Sequence, residues 1–415
     1  MKFPIIGWAK MPKEQTRPEV FANIARCGIN VFMTCDDSPK DVRAQLDLAV
    51  EHGLQAIVLD FRFTPTDDPS CEAGALAAAK EYADHPATFG FNVCDEPVRS
   101  DFERVGRVIS ALRKAYPDKV AYVNGLGWGC RGADTFLEYA EEYARIIKPG
   151  MLSFDAYPLS TIPGDAETSA VYKADCGVEY PEINAYYRDR YWEAWETYRM
   201  VGWKYDLPLW GFALATPHQH SVWFYGPVTE GTIRLEAFTG LAHGIQALQY
   251  FTLPSLVEQY DDVFNGWDDG ILGRDGEPSI RFEAFRRVNR DVATLGPIVK
   301  ELTCSRVFHT GSLTSNCCRW NTVRNNRDSS HVGIARIEGD PVIVSFLKGN
   351  DKRYMMIVNR NPARRGRVMV EMQKGWKALE VYKLDGSTET SVEDSFHIGL
   401  EPGDGRLFRF EQRVE

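Results

Sequence analysis

Apolar and polar positions along this chain follow two regimes. From residue 1 to about 300, short apolar runs of strand type alternate with amphipathic stretches at a spacing of roughly 30 to 40 residues, the mark of repeated βα units and a parallel sheet. The runs predict eight strands: Pro4 to Trp8, Ile29 to Thr34, Ala56 to Phe61, Thr88 to Cys94, Val120 to Asn124, Leu152 to Ala156, Leu209 to Leu214 and Ala247 to Thr252. Between them Pro18 to Cys27, Pro39 to Gly53 and Ala73 to Asp84 carry helical periodicity. In the second of these Val42, Leu46, Ala49 and Val50 share a face, and Gly53 stands where a helix end needs a left-handed residue. Eight strands with helices between them is the count of a (β/α)8 TIM barrel, an α/β fold. After Leu295-Gly296-Pro297 the period shortens. Val342 to Leu347, Tyr354 to Asn359, Arg367 to Glu371, Ala378 to Lys383 and Arg406 to Phe410 are short alternating runs, broken by turns such as Lys348-Gly349-Asn350-Asp351 and Asp385-Gly386-Ser387. The pattern predicts two domains, a barrel over 1–300 and a C-terminal antiparallel β-sandwich over 301–415. They should pack closely, because no low-complexity linker separates them.

Composition narrows the function. With 44% apolar and 12% aromatic residues the chain can bury a large core. A net charge of −10 without any basic stripe excludes a nucleic-acid partner and points to a neutral ligand. Nine cysteines, odd in number and scattered, read as reduced thiols rather than a disulfide framework, and no pair has zinc-site spacing. No apolar stretch of roughly 18 residues and no leader-like N-terminus occur, so the expectation is a soluble cytoplasmic protein without a membrane partner. A secreted chain already relieved of its leader would read the same way. Oligomeric state is not legible.

Chemistry concentrates in Thr88-Phe89-Gly90-Phe91-Asn92-Val93-Cys94-Asp95-Glu96-Pro97, where a buried strand breaks into two adjacent carboxylates. Pro97 cannot extend the ladder, so Asp95 and Glu96 fall at the strand end, the edge at which parallel barrels house their sites. The competing reading is a solvated turn with Pro97 opening a helix. The stretch Tyr172 to Tyr205 holds more rings than one amphipathic helix can bury, which leaves some to line a cleft where rings stack on sugar faces. His218 and His220 form His-x-His after the seventh strand. With no third ligand in the sequence, hydrogen bonding to substrate hydroxyls or loop packing is a better account than a metal. His243, inside an apolar helix, reads as a core histidine. Trp267, in Asn265-Gly266-Trp267-Asp268-Asp269-Gly270, stands where it could reach the barrel mouth.

Taken in order, several segments resemble the clan A (β/α)8 glycoside hydrolases, in the neighbourhood of the family 42 β-galactosidase-like barrels. They are Asn92 to Pro97, Ser153-Phe154-Asp155-Ala156-Tyr157-Pro158, Gly226-Pro227-Val228-Thr229-Glu230 running through Arg234 and Glu236 to Ala242-His243-Gly244-Ile245-Gln246-Ala247-Leu248-Gln249-Tyr250-Phe251, and Leu400-Glu401-Pro402-Gly403-Asp404-Gly405. The resemblance implies a glycosidase with a carbohydrate substrate and no cofactor or metal, and it puts Glu96 at the acid/base position. The chemistry agrees, since glycoside cleavage needs one protonated carboxyl at the leaving oxygen and a second carboxylate across the ring. Asp95 could raise the pKa of Glu96 by like-charge repulsion. The seventh strand departs from the resemblance: Leu209 to His220 contains no carboxylate, whereas clan members carry their nucleophile there. Asp155 is the leading substitute, with Asp60 and Asp36-Asp37 behind it; a separation from Glu96 of roughly 5 to 5.5 Å would mean retention and roughly 6.5 to 9.5 Å inversion, towards which the empty position leans. Asn92, Asp95, Tyr157, His218, His220, Tyr250 and Trp267 complete the set as substrate-binding candidates. The rival functions are a carbohydrate-binding barrel that has lost its nucleophile and a metal-dependent sugar isomerase or lyase using His218 and His220.

Overall fold

A computed structural model describes all residues except 1, 69, 128, 162–177, 189, 221–222, 257–263, 266, 312–332, 392–394 and 413–415. Eight parallel strands close into a barrel in chain order: Ile5–Lys10, Val31–Met33, Gln55–Val58, Thr88–Asp95, Val120–Gly125, Leu152–Phe154, Leu209–Leu214 and Ala247–Phe251, the last pairing with the first. Helices cover the outside. In Pro39–Glu51 the Ser38 side chain caps the first turn by accepting from the Asp41 N–H, and Gly53 follows the helix end at φ +66°, as its sequence position requires.

Alternation along each strand sorts side chains between two cores. Phe91, Val93 and Leu248 point outward into the large core shared with the helices. Ile6, Val31, Met33, Ile57, Tyr122, Met151, Trp210 and Ala247 point inward and fill the barrel lumen. The surplus of rings after the sixth strand divides accordingly. Tyr191, Trp192, Trp195 and Tyr198 on helix Arg190–Tyr205 are buried, Trp203 on the same helix is exposed, and Tyr186 and Tyr187 belong to a strand.

That strand is part of a second sheet, built wholly from excursions after the sixth, seventh and eighth barrel strands. Its six antiparallel strands run Phe264–Asn265, His218–His220, Trp223–Tyr225, Leu159–Thr161, Ala185–Tyr187 and Val178–Tyr180. These connections leave the C-terminal ends of their barrel strands, so the sheet stands over the mouth of the barrel.

After the last barrel helix, Phe282–Val299, a six-stranded and a three-stranded antiparallel sheet form the β-sandwich. The larger sheet is covered on both faces. Ile343, Met356, Val358 and Leu407 join the barrel's core, while their neighbours Val342, Val344, Met355, Ile357 and Phe408 fill the sandwich. Double coverage explains why Val342–Gly349 and Lys352–Asn359 are nearly continuously apolar instead of alternating. The turn between them places Asn350 and Asp351 at positive φ, the geometry of a tight two-residue hairpin.

Candidate active site

Polarity rises along the barrel axis. Above the apolar lumen lies a layer of neutral polar groups, Tyr122, Ser153 and Gln249, all fully buried. Above that sit Asn124 and, at the C-terminal mouth, Asp95, Glu96 and Asp155. Two backbone irregularities bring three carboxylates together there. Simple alternation would place Asn92, Cys94 and Glu96 on one face, but the register with the fifth strand shifts between Asn92 and Cys94, and Asp95 pairs with Asn124. Glu96 then adopts φ +41°, a left-handed conformation that a non-glycine residue holds at a cost of roughly 1–3 kcal/mol. The bulge and the left-handed residue together let two consecutive carboxylates face one cleft.

Each group is held from several sides. The Glu96 N–H donates to the Asn124 carbonyl, and Arg131 grips Glu96 twice, donating from Nη1 to its carbonyl at 3.0 Å and pairing Nη2 with Oε2 at 2.9 Å. Asn124 donates from Nδ2 to Asp95 Oδ1 at 3.1 Å and to Asp155 Oδ1 at 2.9 Å. Gly127 lies so close to Asp155 that a Cβ there would stand 1.5 Å from its carbonyl oxygen, so only glycine permits this approach.

Charge in this space decides where protons sit. Desolvation, then the charges of Asp155 and Asp95, push the Glu96 carboxyl well above the ordinary range, and Glu96 hydrogen-bonds to Asp155 as the donor of that pair. Arg131 pulls the other way. Its side chain is about half exposed, and an ion pair so open to water contributes at most about 1 kcal/mol, whereas carboxylates sharing one desolvated site cannot all ionise. The carboxylates win, and Glu96 keeps its proton. Loss of water and the charge of Asp155 push the Asp95 carboxyl up to about 7, against Asn124 and Arg131. Asp95 is solvent-exposed even though protein surrounds it, as on the floor of a concave site, and water there weakens both causes of the rise.

Aromatic rings wall the cleft beside the carboxylates. His218 lies parallel to Trp267 at 4.6 Å and to Tyr225 at 5.0 Å, and Tyr157 packs between Tyr225 at 5.8 Å and Phe251 at 6.0 Å. His218 Nδ1 is 2.8 Å from the Thr216 carbonyl, which it can reach only as a donor; burial lowers the His218 pKa to about 4, so the ring is neutral. Among the described residues no three His, Cys, Asp or Glu side chains are arranged to hold a metal ion.

No protein-family model matches the chain, and no curated protein matches it in sequence. Solved structures do. A catalytic mutant of Gan42B, a GH42 β-galactosidase from G. stearothermophilus, aligns with a TM-score of 0.63 at 9% identity over 99% of this chain and 98% of that one. A glycoside hydrolase family 5 protein from Bacteroides vulgatus gives 0.54 at 12% identity, over 99% and 89%. The β-galactosidase of the psychrophilic Marinomonas ef1 gives 0.52 at 13%, covering 72% of this chain, which spans only 60% of that enzyme. What the chain shares with these glycoside hydrolases is the fold, an eight-stranded parallel barrel with antiparallel sheets after it.

Against that fold the candidates from sequence divide. Asp95, Glu96 and Asp155 meet at the mouth, with Tyr157, His218 and Trp267 in the adjoining wall. His220 continues that wall, its ring 6.4 Å from Tyr225. Asn92 faces the lumen below them, with its Oδ1 buried and unpartnered. Tyr250 is a correction. It points outward, fully buried, and donates to Asn289 Oδ1 at 2.7 Å beneath helix Phe282–Val299, while its neighbour Phe251 reaches the mouth. Tyr250→Phe should therefore cost about 1 kcal/mol in a denaturant melt and leave ligand affinity unchanged. Glu96 and Asp155 lie close enough in the cluster to shift each other's protonation. The reserves are engaged elsewhere: Asp60 is clamped by Arg62, Asp36 pairs with Lys10, and Asp37 with Lys13 at 3.1 Å. His243 is a core residue, its Nδ1 2.8 Å from the Thr239 carbonyl. Of the cysteines, Cys176, Cys317 and Cys318 lie outside the described residues, and the other six are free thiols.

The end of the seventh strand remains apolar, with Ala213, Leu214 and Ala215 all buried. Glu236, on the following helix Glu230–Ala242, is the carboxyl that reaches this strand. It does so from outside the barrel, accepting from the Leu214 N–H at 2.9 Å, and it is 2% exposed. Desolvation holds its pKa far above the usual value. The folded state therefore keeps a proton that the unfolded chain loses above about pH 4.3. The resulting stability is complete below that pH and falls by up to about 1.4 kcal/mol per pH unit until the folded pKa is reached. Glu236→Gln preserves an acceptor for Leu214, so melts compared across pH should show this slope in the wild type and lose it in the variant.

Proposed function

We propose that the protein is a glycoside hydrolase acting on a neutral carbohydrate, with Glu96 as its general acid. What supports the reading is the meeting of Glu96 with Asp95 and Asp155 at the C-terminal ends of the fourth and sixth strands, around the Asn124 amide and beside a wall of rings. Three acidic side chains would repel an anionic ligand, whereas a sugar can lay an apolar face on the rings and direct its hydroxyls to the carboxylates. On transfer of its proton to the leaving oxygen, Glu96 becomes a third carboxylate in the cluster. Arg131, already in contact, steadies that state, and repulsion from Asp95 and Asp155 favours reprotonation from water. Asp155 is thus the acceptor that orients the Glu96 proton. Asp155 and Asp95, the latter open to solvent, are the candidates for the second carboxylate that glycoside cleavage needs.

The pH profile should report this arrangement. Activity is lost as pH rises through the Glu96 pKa. Arg131→Met removes a cation that favours ionisation and should move the alkaline limb of kcat/KM upward; Asp155→Asn removes a like charge and should move it downward.

A second reading is favoured by the apolar end of the seventh strand: a barrel that binds sugars without cleaving them. A panel of neutral glycosides, assayed for hydrolysis with wild type and Glu96→Gln and for binding by calorimetry, separates the two. Glu96-dependent turnover supports the hydrolase. Binding to several sugars with no turnover of any of them would establish the binding barrel.

A further inference from the structure

The carboxylates at the mouth rest on an unbroken line of hydrogen bonds that descends into the barrel, and its direction is dictated from the top. Asp95 and Asp155 both accept from Asn124, so the amide must present Nδ2 upward and Oδ1 downward. Oδ1 lies 2.8 Å from Ser153 Oγ, which must therefore donate. With its one proton used, Ser153 accepts from Gln249 Nε2 at 2.9 Å. The Gln249 oxygen consequently faces Tyr122, whose hydroxyl donates to it at 2.8 Å. The Tyr122 oxygen in turn accepts from Trp8 Nε1 at 3.2 Å, and indole is a donor only. Each of these links follows from the one above; the Tyr122 and Ser153 hydroxyl oxygens also stand 3.1 Å apart, and in this order both of their protons point elsewhere. Members of the line come from the first, fifth, sixth and eighth strands, and all but Trp8 are fully buried.

We infer that Asn124 is the positioning residue that allots protons among Asp95, Glu96 and Asp155, its amide locked by the line from Trp8 through Tyr122, Gln249 and Ser153. One amide supplying an N–H to each aspartate favours the ionised form of both. Glu96 receives nothing from Asn124 but a carbonyl acceptor for its backbone N–H, so the proton collects on Glu96. A reversed amide would turn an oxygen towards two carboxylates, and the proton would shift to an aspartate. The groups near enough to act on Glu96 are Asp95 from its own strand, Asp155 from the sixth and Arg131 from the loop after the fifth; the Tyr139, Tyr157 and Tyr198 phenols stand further round, Tyr139 donating to the Pro97 carbonyl and Tyr198 to the Leu126 carbonyl. None of these donates to both aspartates as Asn124 does.

The inference deepens the reading of Glu96 as the acid, but its test needs no substrate, so either can fail alone. Carboxyl carbon shifts of 13C-labelled protein, followed by NMR from pH 3 to 10, read each protonation state directly, with the Glu96 signal assigned by its loss in Glu96→Gln. In the wild type Glu96 should be the last of the three to ionise. In Asn124→Leu, which removes both donors, the Asp155 midpoint should rise and the Glu96 midpoint fall, each by about one to two units. Ser153→Ala, a smaller change that frees the amide from below, should shift both in the same directions by less. It keeps the inference testable if Asn124→Leu does not fold. Midpoints unmoved in a folded Asn124→Leu, or in Ser153→Ala where that is the variant that folds, would overturn the inference, as would a wild type in which Glu96 ionises before Asp155.

Discussion

Glu96→Gln should lower the hydrolysis of an alkyl glycoside by about 10²–10⁴-fold, the usual contribution of a positioned general acid. The side chain loses its transferable proton but retains an N–H that can donate to Asp155, so the cluster should keep its geometry. It also sheds a group that the folded state holds neutral against its preference, so thermal stability near neutral pH should not fall. The leaving group supplies the sharper test. A glycoside that expels a stable phenolate needs little protonation, and its hydrolysis should fall far less than that of the alkyl glycoside. Equal losses on both substrates would mean that Glu96 positions the sugar and that the acid lies elsewhere.

The largest expected loss of stability lies where the barrel meets the sandwich. Asp404, 6% exposed, accepts from Arg234 Nη1 at 3.2 Å and from Lys383 Nζ; Arg234 also binds Asp291 at 2.8 Å, and Lys383 lies over the Phe238 ring at 4.5 Å. Asp404→Ala leaves Arg234 with Asp291 and Glu230 but takes from Lys383 its hydrogen-bonded carboxylate in a setting that burial already makes unfavourable for a cation. Breaking such a pair from one side costs about 3–5 kcal/mol. Much of that is the stranded charge, so Asp404→Ala combined with Lys383→Met, which keeps an apolar chain over Phe238, should recover most of the loss in a denaturant melt. A double variant as unstable as the single one would show that Asp404 acts through Arg234 instead.

Much of the architecture was legible because burial imposes a period. The helix with Val42, Leu46 and Ala49 on one face, the strand at Thr88 and the apolar Leu209 to Leu214 could each bury their surface in only one way, and their order along the chain implies a parallel barrel. Period also held a signal for the one ring that was misplaced. In Ala247–Phe251 the lumen takes Ala247 and Gln249, and the same parity carries Phe251 to the mouth and turns Tyr250 away. Asn124, Ser153 and Gln249 were missed as parts of the site, although each is a polar residue inside an apolar run, a position that requires a buried hydrogen-bond partner.

Sequence by itself determined the eightfold alternation, the change to short strands near residue 300, the paired carboxylates closing the fourth strand and the lack of an acid on the seventh, since all of these are local patterns. Tertiary structure decided the rest. That Asp95 and Glu96 face one cleft depends on a bulge and a left-handed residue, which arise from pairing with a strand some thirty residues away. That Asp155 touches Glu96, that Arg131 grips it, and that one amide lies between two aspartates are distances between segments, and no local period encodes them. The proton on Glu96 is the plainest case, because it is set by how many negative charges the closed barrel brings into a space that water only partly fills.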